Sequence, residues 1–537
     1  MSFAASSSSV SKAVEEALNQ GYQISPEAVK LLVKLAERRK KKKARVGEEH
    51  SFEVIVRGTI EYKAKRSSAA DIRVEDFRDA FPEVFDFAES TTILGPVVDV
   101  VVHKVNEPTR GISGEKSSSS QASIAVVEES QSEFEVVRDP SSLVEPTGIE
   151  GFPQLFKSRY EKIVKILAER PEGRQLTKVS KINREKGISK VAGLVFSRRP
   201  TKTGIEFTID DDTGSTSILA LSQEAKKAAS EIALDQCVLV EAEALQGRLM
   251  LKSVLQPDVP LKTTSWSKKT VYAVFLSDLH IGSNKFLEGA FNRFLEWVSG
   301  RGQIPEEDEE IIRRLKYIVI GGDVVDGVGV FPNQEYELSE NNIFKQYEMV
   351  SEKLKLVPQR LQMFVIPGNH DATRQALPQP MIPRKYAVSL YELKNLTMLG
   401  DPCLFRLNGV SILAYHGRSL DDVLATTPGL SYERPEEAMK VLLRARHLAP
   451  IFGMRTPIAP ELEDHLVIEE VPDIFHAGHV HTIGLDRYKS TLIINSGTWQ
   501  AQTGYQANLG ISPRPGLVPI VNLATLGVEL REFLVSS

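Results

Sequence analysis

The sequence predicts an α/β domain built on a two-layered sheet, preceded by a small β-barrel and a short helical region at the N-terminus. Two observations carry most of this. From Val271 onward, short apolar runs such as VYAVFL and YIVI alternate with segments of helical period, among them AFNRFLEWV and NIFKQYEMVSEKLKLV. Between about 175 and 258 the period is instead that of strands, broken at Asp/Gly turns. A chain of 537 residues exceeds what one hydrophobic core organises. The expected divisions are a helical region at 1–80, a flexible linker at 81–150, a helix and barrel at 151–262, and the α/β domain at 263–537.

The first region opens on a Ser-rich tail, followed by Ala28, Leu31, Leu32 and Leu35 at the i, i+3, i+4, i+7 spacing of a helix. That helix runs into a continuous basic stretch, Arg38 to Lys43, which reads first as a solvated helix end and second as a contact for DNA or a partner. Residues 81–150 are rich in Ser, Glu, Val and Pro, with room for a short strand around Val97–Val102. From Phe152 to Ala168 the spacing is that of an amphipathic helix with a basic opposite face. Three strands, the helical SQEAKKAASEIA and two more strands then follow, the order expected of an OB-fold barrel. Such barrels bind single strands or dock proteins. Aromatics for stacking are sparse, Phe196 and Phe207 being the main candidates, which puts docking ahead.

Composition narrows the class. A net charge of -5 argues against coating nucleic acid by bulk electrostatics, so any such contact needs local basic patches. The two cysteines, Cys237 and Cys403, belong to no CxxC or Cys/His cluster, which excludes a disulfide framework and a zinc ribbon. No stretch approaches the roughly 20 apolar residues of a membrane span, and MSFAASSSSV lacks the apolar core of a leader. The chain reads as cytoplasmic, with no membrane partner.

In the last domain one event recurs five times: an apolar strand stops and polar, metal-ligating side chains follow at once. The strands end in Ser277-Asp278-Leu279-His280, in Gly321-Gly322-Asp323 with Asp326 behind, in Gly368-Asn369-His370-Asp371, in His416-Gly417, and in His476-Ala477-Gly478-His479-Val480-His481. Strand carboxyl ends lie along one rim of an α/β sheet, so five of them can bring distant residues to one point. Six of the ten histidines fall in these motifs. A single such histidine would read as an ordinary core or surface residue; the ordered set does not. Imidazole with carboxylate and carboxamide suits manganese, iron or zinc better than magnesium alone.

The ordered motifs resemble those of the calcineurin-like metallophosphoesterase superfamily over roughly 271–505. The resemblance implies that Asp278, His280 and His481 hold one divalent metal ion and that Asn369, His416 and His479 hold a second. Asp323 would bridge them, one cation on each carboxylate oxygen. His370 would be catalytic, facing the scissile phosphate, with Asp371 orienting its imidazole; Asp326 and His476 would stand behind the ligands.

An OB-like domain directly upstream, together with FLSDLHIGS, GGDVVDGVGV, IPGNHD, YHGRSLDD, RARHLAP, HAGHVHT and NSGTWQAQTGYQ, resembles the small subunit of archaeal family D DNA polymerase over about 150–537. That resemblance implies a manganese-dependent 3′–5′ exonuclease subunit, associated with the nucleoid, whose partners are DNA, a large catalytic polymerase subunit and, by family association, a sliding clamp. Eukaryotic B subunits share the arrangement but have lost the ligands, and every ligand position is filled here. The alternatives are a non-catalytic scaffold subunit and a free-standing phosphatase or phosphodiesterase.

Overall fold

The computed structural model describes residues 23–24, 71–72, 100–104, 133–142, 148–302, 304–508 and 510–534. The chain divides into two compact units, Met1–Val97 and Val98–Ser537. In the first, Gln23–Ile24 pairs in parallel with Asp71–Ile72. The helix expected over Ala28–Leu35 and the basic run after it lie outside the described residues.

The second unit begins with two strands from the stretch expected to be a linker. β1 (Val100–Lys104) and β2 (Phe134–Arg138) each close the edge of a large sheet. Helix α1 (Gly151–Ala168) follows, as its period predicts. The barrel comprises β3 (Ile188–Pro200), β4 (Ile205–Asp211), β5 (Gly214–Ala220), helix α2 (Gln223–Ser230), β6 (Cys237–Leu245) and β7 (Arg248–Leu255). Ser222 caps α2, its Oγ accepting from the Ala225 amide at 3.1 Å. The strands close in the order β3-β4-β5-β7-β6. Phe207 is buried in the barrel core with Ile209, Val240 and Leu251, so it offers no stacking face; Phe196 is 70% exposed.

The remaining elements are β8 (Tyr272–Leu276), α3 (Glu288–Val298), α4 (Glu306–Arg314), β9 (Leu315–Ile320), α5 (Ile343–Leu354), β10 (Gln362–Val365), β11 (Leu396–Met398), β12 (Cys403–Leu407), β13 (Val410–Ala414), α6 (Leu420–Thr426), α7 (Pro435–Ala445), β14 (Ile474–Ala477), β15 (Gly484–Tyr488), β16 (Thr491–Asn495), α8 (Gly504–Asn508), β17 (Leu517–Asn522) and β18 (Gly527–Glu532). They form a seven-stranded sheet, β11-β10-β9-β8-β17-β18-β1, and a six-stranded sheet, β15-β16-β14-β13-β12-β2.

The apolar runs reflect burial on both faces of each strand. Phe275, Val319 and Phe364 of the first sheet meet Phe405, Ile412, Ile474 and Ile494 of the second in one core. Alternate residues point the other way. Val274, Ile318 and Val365 pack on Phe291, Phe294 and Trp297 of α3, while Leu413, Phe475 and Ile493 pack on Leu420, Val423, Met439 and Leu442 of α6 and α7. Strands β8, β9 and β10 are mutually parallel, as are β13 and β14. Their carboxyl ends therefore share a rim.

Helix α1 joins the barrel to this sandwich. Leu155 enters the core beneath α6 and α7, whereas Tyr160, Ile163 and Leu167 pack with Leu239 of the barrel and Val467 of the sandwich. Between these contacts lies a buried ion pair. Arg159 Nε donates to Asp464 Oδ2 at 2.8 Å, and the same oxygen accepts from His447 Nε2 at 2.9 Å. Since Ala449 N donates to His447 Nδ1, the proton of neutral His447 is on Nε2; burial pushes this imidazole down to about 4. Arg159→Ala would leave Asp464 buried and half-paired. Urea unfolding should then report a loss of about 3–5 kcal/mol, and a loss under about 1 kcal/mol would show that Arg159 does not join the two parts.

Candidate metal centre

All seven predicted ligands lie just beyond strand ends of the shared rim. Asp278 and His280 follow β8, Asp323 follows β9 and Asn369 follows β10, while His416 follows β13 and His479 and His481 follow β14. Five of them hold left-handed backbone: Asp278 (φ 54°), His280 (φ 50°), Asp323 (φ 49°), His479 (φ 70°) and His481 (φ 58°). Such a conformation costs of order 1–3 kcal/mol per non-glycine residue and persists only where the surroundings impose it. Here the loops lace one another together. Asp278 N donates to Gly322 O, His280 N to Asp323 O, and Gly478 N to His416 O, at 2.8–3.0 Å. The packing needs glycine at 368, where a methyl group would lie 2.2 Å from Asp323 Oδ1 and 2.7 Å from His416 Cε1.

The side chains gather in two clusters. In the first, Asp278 Oδ1 lies 3.3 Å from His481 Nε2 and 3.8 Å from His280 Nε2, and the two ring nitrogens are 3.0 Å apart. His280 Nδ1 donates to Asp326 Oδ1 at 2.9 Å, which turns its Nε2 lone pair inward. Gln334 and Gln500 in turn hold Asp326. In the second, His416 Nδ1 donates to Gly321 O at 2.8 Å and presents Nε2 to Asn369 Oδ1 at 3.0 Å and Asp323 Oδ2 at 3.3 Å. His479 lies edge-on to His416 and contacts Asp421 Oδ2 through Nε2. Donor atoms of Asp323, His416 and His479 all lie within 4.8 Å of one another.

Asp323 faces both clusters. Its Oδ2 is 3.9 Å from His280 Nε2 as well as 3.3 Å from His416 Nε2. The other oxygen, Oδ1, accepts from the His370 amide at 2.7 Å. The oxygen turned toward the imidazoles of both clusters is Oδ2.

The donors fit divalent cations. Asp278 Oδ1 is buried with no hydrogen-bond partner, a costly state for a carboxylate that a cation relieves. Burial would lower the His280 and His416 pKa values, yet the surrounding carboxylates push both up to about 10. A site negative enough to hold protons there exchanges them readily for metal. His280, Asp326 and His370 also converge, but the first two already bind each other.

Two expectations change. Asp371 does not touch the His370 ring: its Oδ2 accepts from Gly368 N at 2.9 Å and its Oδ1 from the Tyr347 hydroxyl at 3.1 Å. It braces the loop, and burial together with the charge of Asp323 pushes it up to about 7. The His370 ring is positioned instead by the Asp326 carbonyl, which accepts from Nδ1 at 2.7 Å. His476 turns away too, its Nε2 bonding Ser496 Oγ at 2.8 Å, and burial pushes it down to about 3. Asp326 stands behind His280, as expected.

A cleft of about 260 Å³ opens over the clusters. His370, Arg418, Asp421, Arg455, Gln506 and Phe331 line it. Asp421 belongs to the YHGRSLDD stretch, but no role is expected of it from the sequence. Gln506, the last residue of the NSGTWQAQTGYQ stretch, reaches His481 Nδ1 at 2.7 Å.

Comparison with known proteins places the chain. Residues 273–482 match the family model for the B subunit of DNA polymerase alpha/epsilon. The DNA polymerase II small subunit of Methanothermobacter thermautotrophicus is 39% identical over 407 residues, covering 75% of this chain and 83% of its own. That of Archaeoglobus fulgidus is 38% identical over 383 residues, covering 71% and 77%. The chain belongs to the DNA polymerase II small subunit family. The Pyrococcus furiosus member is 42% identical over 71% of this chain, and the match spans 63% of that relative's length. Among solved structures, an archaeal phosphodiesterase aligns at 12% identity and a TM-score of 0.25, covering 48% of this chain and 98% of its own, a likeness too loose to weigh.

The hydrogen bond that aims His280 is open to test. Asp326→Ala should weaken manganese binding about 10- to 100-fold by calorimetry, with circular dichroism unchanged. Unaltered affinity would mean that His280 is not a ligand.

Proposed function

We propose that this chain is the exonuclease subunit of a DNA polymerase, hydrolysing phosphodiester bonds at DNA 3′ ends with two divalent cations, manganese by preference, beside a large catalytic subunit. The observation that carries the proposal is Asp323 Oδ2, turned toward both donor clusters in a chain of the polymerase small-subunit family. On this reading the two-sheet domain is a calcineurin-like phosphoesterase and the barrel an OB fold. Asp278, His280 and His481 hold one cation, Asn369, His416 and His479 the other, and Asp323 both. When bound, the pair supplies Lewis acidity at the scissile phosphate.

The chain's own residues do the rest. His370 is neutral because burial lowers its pKa. Its Nδ1 proton is committed to the Asp326 carbonyl, so Nε2 faces the cleft. The negative charge of an entering phosphate raises the proton affinity of that nitrogen, so Nε2 can take a proton from solvent and pass it to the leaving oxygen. Arg418 and Arg455 supply positive charge on the cleft wall. Among the described residues, no helix is long and apolar enough to cross a membrane, consistent with action on DNA in the cytoplasm. A scaffold role toward the large subunit, and a sliding clamp contact, are compatible with this chemistry.

Two variants separate binding from chemistry. Asp323→Ala should abolish manganese-dependent 3′-end degradation of single-stranded DNA. His370→Asn should keep near-normal metal content by elemental analysis and lose cleavage at least about 100-fold. Full activity of a clean Asp323→Ala preparation would refute the assignment, and loss of metal from His370→Asn would make that residue a ligand.

A further inference from the structure

The cleft has two unlike walls, to which the motif readings assign no role. Beside His370 and Asp326 the wall is apolar. It is formed by Val330 and Phe331, and the Phe331 ring lies 6.4 Å from that of His370. Toward Asn369 the wall is cationic. Arg418 Nη1 donates to both the carbonyl and Oε1 of Gln375 at 2.9 Å, and Gln375 Nε2 donates to the Asn369 carbonyl at 2.9 Å. One wall is thus tied to each donor cluster.

The apolar wall is a loop held out at the cleft. Gly327 hydrogen-bonds Gln346, and Val330 N donates to Gln334 Oε1 at 2.8 Å. Gln334 Nε2 donates onward to the Asp326 carbonyl at 2.7 Å, which fixes the loop's base to the residue that aims His280. At Gly327 a side chain would lie 2.4 Å from the His370 carbonyl, so the loop leaves the site with no room for adjustment. Above this rigid base, Val328 is 48% and Val330 36% exposed. Apolar side chains kept in solvent beside a cluster of charges suit a ligand with both a flat apolar face and a negative charge. A nucleotide has both. At about 260 Å³ the cleft falls just below the size range of small-molecule pockets, roughly 300–1,000 Å³.

We propose that Phe331 is the platform on which the base of the terminal nucleotide stacks, while Arg418 receives its phosphate, so that the cleft selects an unpaired end by sorting base from backbone. This rests on the hydrolase reading above, and the test separates the two. A single-stranded oligonucleotide carrying 2-aminopurine at its 3′ terminus, bound to the full chain in EDTA so that nothing is cleaved, should lose fluorescence more than one labelled internally. Phe331→Ala should abolish that difference, and Phe331→Trp should keep it. With manganese, wild-type protein should favour a 3′ end bearing a base over an abasic one by about 5- to 150-fold, the factor equivalent to roughly 1–3 kcal/mol of base–aromatic stacking. In Phe331→Ala that ratio should fall to about one, and Phe331→Leu should lie between. Terminal quenching without cleavage would support the platform and sink the exonuclease. Cleavage with no terminal quenching, or an unchanged ratio in Phe331→Ala, would overturn the platform and leave the exonuclease standing.

Discussion

Asp323 sits where the loops of two sheets meet, and the rest of the sandwich is arranged around keeping its carboxylate there. It is buried, its backbone is left-handed, one oxygen is committed to the His370 amide, and the other faces imidazoles from both sheets. A charge in that position is tolerable only with counter-charges at fixed distances. The apolar layers on both sides of each sheet supply that fixity. Phe275, Val319 and Phe364 pressed against Phe405 and Ile412 leave the strand ends little freedom to separate. Strain in five candidate ligand residues is then imposed by the cores and by the hydrogen bonds between loops.

How much of this is legible in the sequence depends on what kind of information each feature carries. The strand-end motifs are readable because each ligand set follows directly on an apolar run, and chain order alone brings strand carboxyl ends to one rim. The barrel is readable for a similar reason, its strands being separated by Asp/Gly turns. Of the two edge strands, β1 overlaps the short strand expected around Val97–Val102, whereas β2 lies unannounced in a stretch rich in Ser and Glu. Their positions come from pairing with β18 and β12 far along the chain, and composition does not encode a partner. Phe207 looks available because its strand alternates, and only barrel closure shows which alternate face is interior.

Site details are hidden in a different way. Asp371 follows His370 directly and so looks like its support, but adjacent residues at a tight turn point apart, and the carbonyl of Asp326 does that work. Asp421, Gln500 and Gln506 lie in stretches that carry the resemblance but receive no role there, because polar residues in loops are ordinary until a fold brings them against a histidine or its carboxylate. Sequence proximity places His476 behind the ligands, whereas the strand packs its ring against Phe275 and bonds it to Ser496.

The central claim is that Asp323 would hold two cations between the two donor clusters. Anomalous diffraction from crystals of the full chain soaked in manganese tests it directly. Two peaks about 3.5–4 Å apart are predicted, one against Asp278, His280 and His481 and the other against Asn369, His416 and His479, with Asp323 between. A single peak, or one held by His280, Asp326 and His370, would contradict it.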